Sequence, residues 1–269
     1  MENRSLNSED PFLEDRAPAS LESLPLELMW EILYRLDSQG LNSLVNISPQ
    51  YYRAYTCNAQ WILSEVVRRE IGPECMYEAV AVIQASNIRS REDQATIEFL
   101  RRYRLERWEE PPQVLSLSAS LQLISFHQSI VSGFVNDFIS STLSRYPMRQ
   151  TPLKPDGPPS ANELRRIYRA FYRFELYCVL FRRRPTEPRL VSISDGRLAA
   201  SDQYRHFLYF LPPWEVEELF CVHDYLYRRI FVPVDDYLGH DIARGLQGSW
   251  WVEDCKRCDA FLALATSYY

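Results

Sequence analysis

Lysine is almost missing from this 269-residue chain: Lys154 and Lys256 stand alone among thirty basic residues, and all the others are arginine. GC-rich coding, which favours arginine codons, is the plainest source of such a bias. Glycine is scarce too, with 8 residues against 17 prolines. A strand-and-turn fold needs positive-φ residues at its turns, so this shortage points towards helices. There is no unbroken apolar run of twenty residues, which argues against a membrane-spanning protein. A surplus of positive charge is also missing. At a net charge of -6 the chain repels nucleic acid on average. The six cysteines are irregularly spaced and do not make a disulfide scaffold. Met1-Glu2-Asn3-Arg4 leads into Glu9, Asp10, Glu14 and Asp15, with neither a basic start nor an apolar stretch, so no secretory signal is visible. A cytoplasmic or nuclear setting follows, with the thiols free and packed as small hydrophobes. No GxGxxG, P-loop or GxSxG occurs, and no internal repeat.

What is present is helical periodicity. Residues 1–20 are polar and acidic and read as a disordered leader. Leu24-Pro25-Leu26-Glu27 reads as a helix start, with proline at the first helical position and a carboxylate in the first turn. Leu28, Met29, Ile32, Leu33 and Leu36 then recur at spacings of three and four. Asp37-Ser38-Gln39-Gly40 reads as a break, with a second helix from Leu41 to Ser48-Pro49 and a third from near Gln50 to Gly72-Pro73. Helices are predicted over Tyr77 to Ile88 and Glu92 to Trp108, the second stopped by Pro111-Pro112.

From Pro111 to Asn136 no residue is formally charged, but the many serines and glutamines are too polar for hydrocarbon. Leu117, Leu121, Ile124, Val131, Phe134, Phe138 and Ile139 mark the buried stripe of a core helix instead. Pro147 to Ser160 is a proline-rich loop, and Ser160-Ala161-Asn162-Glu163 a capping box opening a long helix. A loop over 185–202 and helices near Gln203–Leu211 and Trp214–Phe231 follow. A last helix over Ala260 to Tyr269 would leave room for further residues beyond. The chain reads as all-α, with roughly eight to ten helices.

One segment points to a function. Leu24-Pro25-Leu26-Glu27-Leu28-Met29-Trp30-Glu31-Ile32-Leu33 is followed by Leu36-Asp37, Leu41, Leu44, Ile47-Ser48 and Tyr51-Tyr52. About forty residues bury little by themselves, so the apolar faces they carry need the downstream helices or a partner. The pattern resembles an F-box: L-P-x-E, an I-L pair, an apolar–acidic pair, a Leu-led second helix, then an aromatic third helix. It departs where the family often has Arg-Arg-Trp, having Pro49, Gln50 and Tyr51. Ser48 to Tyr55, Glu70 to Glu74, Ala79 to Ser86, Pro213 to Leu219 and Cys221 to Leu226 are similar to a group of F-box proteins of filamentous ascomycete fungi.

The resemblance implies a three-helix F-box over 21–70 and a helical substrate-recognition region over 71–269 without a recognised repeat. It also implies a partner, the Skp-type adaptor of cullin-RING ubiquitin ligases. Leu24, Pro25, Leu28, Ile32 and Leu36 would face the adaptor or set the helix, with Tyr51 and Tyr52 added from the third helix. The chain would then be a non-catalytic substrate receptor without a cofactor, holding an unknown protein substrate. A helical scaffold unconnected to ubiquitin is the alternative.

Three other constellations stand beside it. His206, His223-Asp224 and Asp241 have the H…HD…D order of metal phosphohydrolases, though His240-Asp241 shows how readily such a pair arises. Cys255 and Cys258, with Cys221 and His223, could supply four zinc ligands, but a single CxxC is weak. The clusters Arg101, Arg102, Arg104, Arg107 and Arg165, Arg166, Arg169, Arg173, and the run Arg182 to Arg184, read as solvated faces. Glu98, Glu106, Glu163 and Glu175 offer i,i+4 pairs to the first two.

Overall fold

All regular structure in the described residues is helical, with no strand among them. The computed structural model describes residues 20–88, 93–107, 114–143, 158–181, 198 and 200–231. The acidic leader, most of the proline-rich loop, the Arg182 to Arg184 run and the helix expected at Ala260 to Tyr269 lie outside them.

The helices are α1 (Leu26–Arg35), α2 (Ser38–Ile47), α3 (Pro49–Ile71), α4 (Met76–Ser86) and α5 (Asp93–Glu106), then α6 (Leu117–Phe126) and α7 (Ser132–Leu143). After these come α8 (Ala161–Phe181), α9 (Ala200–His206) and α10 (Pro213–Leu226). A π-helical turn, His127–Val131, joins α6 to α7, so the uncharged stretch runs as one nearly continuous rod.

Local chemistry sets most of these boundaries. Pro25 is the N-cap of α1 rather than its first residue. The break expected between α1 and α2 is shorter than the sequence suggests. Asp37 caps α2, its carboxylate accepting from the Gly40 amide at 2.7 Å, so the helix starts at Ser38 and not at Leu41. Gly72, at φ 86°, ends α3 in a conformation that only glycine adopts at little cost. The capping box at Ser160 is formed in both directions. The Glu163 amide donates to the Ser160 hydroxyl (3.3 Å), and the Ser160 amide donates back to the Glu163 carboxylate (2.8 Å). Those bonds, the serine hydroxyl's first, hold the Glu163 carboxyl below its ordinary value.

The core has two parts. The smaller gathers Met29, Leu33, Leu41, Tyr51, Ala54, Ile62, Leu63 and Val66 from α1, α2 and α3. The larger is built around α8, whose segment Ala170–Leu176 is buried against α4, α7 and α10. The two meet along the second half of α3: Val66 belongs to one, Val67 to the other, and Ile124 of α6 packs on both. Polar bonds fasten the seam. Ser64 accepts from the Leu115 amide at 2.9 Å, and Glu70 takes both the amide and the hydroxyl of Ser38 at 2.7 and 2.6 Å.

The stripe expected on the uncharged rod holds from Ile124 onward, with Val131 buried and Ile124, Phe134, Phe138 and Ile139 packed against the core. It fails in the first turns, where Leu117 and Leu121 are exposed and Ser120 and Leu123 are buried. Apolar residues occur on most sides of this segment. Packing between α3 and α4 selects the buried face, and a serine is small enough to sit in the tight crossing.

Candidate docking face

The α1–α3 unit is held together by contacts between distant positions. Trp30 donates its indole N–H to the Ala54 carbonyl at 2.8 Å, and the Asn58 amide donates to the Tyr34 hydroxyl at 2.6 Å. Asn58 itself has non-helical dihedrals (φ -142°, ψ 29°), so α3 kinks there. The Arg69 guanidinium donates to the carbonyls of Tyr34 and Leu36, stitching the end of α1 to the far half of α3. Ahead of α1, the turn Leu21–Ser23 is tied down by Ser48, whose hydroxyl donates to Glu22 at 2.6 Å.

With α1 so fixed, Met29 and Leu33 point inward and Leu28 outward, 50% exposed. Pro25 and Tyr52 are exposed as well, while Leu24, Ile32 and Leu36 are half-buried against the smaller core. Tyr51 departs from the sequence expectation. It is 1% exposed, and its hydroxyl donates to the Leu21 carbonyl at 3.3 Å. One turn into α3, its ring closes the small core instead of offering an anchor; burial, then the Glu22 charge, raises its pKa. Four further apolar side chains are exposed on the unit: Leu21, Leu26, Trp61 and, at 79%, Ile47. Ile47 was visible in the sequence as the apolar residue of an apolar–Ser step, but nothing in its spacing told inside from outside.

The competing constellations do not assemble. Among the described residues no three His, Cys, Asp or Glu side chains group to hold a metal ion. His223 touches its own neighbour Asp224 at 3.3 Å and lies between Phe174 and Tyr227. Cys221 is exposed; His240, Asp241, Cys255 and Cys258 lie outside the described residues. Cys75 is buried, and that burial pushes its thiol up to about 12, far from the thiolate form.

The first turns of α8 do present a solvated face, with Arg165 and Arg166 exposed, but Arg169 and Arg173 turn inward, and all four reach carboxylates of other elements. Arg165 reaches Glu74 (3.0 Å), Arg166 reaches Glu218 (2.8 Å), and Arg169 lies between Glu215 and Glu218 (3.9 and 3.8 Å). Arg173, fully buried, meets Glu78 at 2.8 Å and Glu215 at 3.4 Å, and Arg107 of the α5 cluster also pairs with Glu215. The cluster joins α4, α5, α8 and α10.

No protein-family model, no curated protein and no solved structure matches this chain.

Proposed function

We propose that the chain is a non-catalytic substrate receptor of a cullin-RING ubiquitin ligase, docked on a Skp-type adaptor through α1–α3. The observation that carries this reading is the division of labour on α1. Met29 and Leu33 close a small core, while Pro25 and Leu28, at the positions where the F-box pattern has its adaptor-facing residues, remain in solvent beside exposed Leu26. Apolar side chains left outside a helix whose other face is packed are the kind of anchor that a protein interface of ~1,600 Å² uses. Tyr52 and Ile47 add exposed apolar surface from α3 and α2. No helix among the described residues is long and apolar enough to cross a membrane.

Binding of the purified chain to a fungal adaptor, measured by calorimetry, tests the reading. Pro25→Ala with Leu28→Asp should abolish binding and leave the helical circular dichroism intact. Leu33→Ala, fully buried, should instead cost about 2–5 kcal/mol of stability. Wild-type chain that ignores the adaptor, or a Pro25/Leu28 variant that binds it unchanged, would make α1–α3 simply part of the protein's own core.

A further inference from the structure

We infer that the face formed by α5, α9 and the turn Leu208–Phe210 binds an acidic peptide segment carrying aromatic or aliphatic side chains. On its inner side, Tyr103 of α5 stacks on Phe207 at 6.2 Å, which lays the helix against the end of α9. The next residue, Arg104, therefore comes to rest over the Phe210 ring, 4.1 Å from its centroid. Phe210 touches Tyr209 (5.5 Å) and Tyr209 touches Tyr204 (6.2 Å), giving a continuous run of three aromatic rings. All three are exposed, Tyr209 to 67%. Single apolar residues at a surface are ordinary; adjoining rings capped by a cation mark a recognition surface.

Charge states what the occupant carries. Each arginine of α8 named above has a carboxylate partner within 4.0 Å. Arg101, Arg102 and Arg104 are exposed on α5, and no described carboxylate lies that close to any of them. The face holds one internal pair, Arg205 with Asp202 at 3.7 Å. Arg101 and Arg104, three residues apart on one side of α5 and next to the exposed rings, complement carboxylates interspersed with apolar side chains. Single-stranded nucleic acid would use the same rings. Its unbroken one charge per nucleotide would run over Asp202, Glu98 and Glu106 on these same helices, whereas a peptide can space its carboxylates to meet only the arginines, which favours the peptide.

As the substrate class of a ligase receptor, the inference rests on the function proposed above; the binding itself does not. A fluorescein-labelled peptide alternating Asp or Glu with Phe or Leu is titrated with the full chain and read by anisotropy. A dissociation constant on the order of 10 μM is expected, weakening as salt is raised. A peptide with Asn and Gln for the acids should bind at least about tenfold more weakly, with no change in the protein needed. Arg101→Gln with Arg104→Gln should lose about tenfold, and Tyr209→Ala about fivefold, with circular dichroism unchanged. The Leu28→Asp variant should bind the peptide normally, so failure of the adaptor experiment and failure of this one are separable. Equal affinity for the neutral peptide, tighter binding of oligo-dT, indifference to the arginine changes, or no binding at millimolar peptide would each overturn the inference.

Discussion

At the scale of single residues, Arg173 stands fully buried between two carboxylates, Glu78 and Glu215. Burial works against its charge, yet Tyr103, Glu78 and Glu215 outweigh that penalty and raise its pKa above the ordinary guanidinium value. Removing one member of a buried pair strands the other. Arg173→Met leaves Glu78 buried without this partner, and should destabilise the fold by about 3–5 kcal/mol in urea unfolding. Arg173→Met combined with Glu78→Met should recover most of that loss, because both charges leave together. Glu215 adds a pH dependence of known sign. Burial opposes its charged form, but the bond from Arg107 and the charges of Arg173, Arg107 and Arg169 prevail, so its pKa lies below the ordinary 4.5. A depressed carboxylate stabilises above its unfolded pKa, and that contribution disappears as pH falls through the folded value. The urea midpoint should therefore drop on acidification below about 4.5, and less steeply in Glu215→Gln. None of these pairings was legible in the sequence. Spacing shows only neighbours on one helix, so it could not reveal that tertiary packing brings Glu74, Glu78, Glu215 and Glu218 to these arginines.

Among the elements, the beginning of α2 shows how a cap overrides a pattern. Apolar periodicity first becomes visible at Leu41, yet the Asp37 carboxylate starts the helix three residues earlier. Gly40 is part of that device: a Cβ there would sit 2.8 Å from the Asp37 Oδ1. Asp37→Ala should cost about 1 kcal/mol, read as a lower Tm. Gly40→Ala should also destabilise, because it pushes the cap aside. Made on the Asp37→Ala background, where no carboxylate is left to collide with, the same change should stabilise by about 0.5–1 kcal/mol through helix propensity. That reversal of sign is the check; two additive losses would mean that the cap and the glycine are unrelated. The kink of α3 was hidden for a similar reason. It falls at Asn58 with no proline or glycine to announce it, where the side chain donates to a hydroxyl 24 positions away. On the candidate face the reading was divided. Pro25, Leu28 and Tyr52 are outside, but Tyr51 is inside, since adjacent aromatics on a helix point in different directions and sequence alone does not say which one the core takes.

At the scale of the whole molecule, the all-α class was legible because glycine scarcity, three- and four-residue periodicity and caps agree with one another. Its arginine bias has a consequence that only function can give it. The described residues contain no lysine at all, and Lys154 and Lys256 lie outside them. A receptor in a ubiquitin ligase stands next to an activated ubiquitin thioester. A lysine amine attacks the thioester carbonyl, expels the thiolate and forms an isopeptide bond, whereas arginine stays protonated and cannot act as the nucleophile. Arginine thus keeps the charge and the ion pairs of a lysine without offering an acceptor. If the proposed role is right, restoring acceptors on the folded body should shorten the protein's life. Arg101→Lys on exposed α5 and Arg165→Lys, half-exposed beside Glu74, preserve charge and are the least disruptive places to do so. The expected result in cells is a shorter half-life for the double variant, returning to the wild-type value when the proteasome is inhibited. Codon usage makes the opposite forecast: other proteins of the same genome should be equally poor in lysine, and the half-life of the variant should match that of the wild type with the proteasome active or blocked.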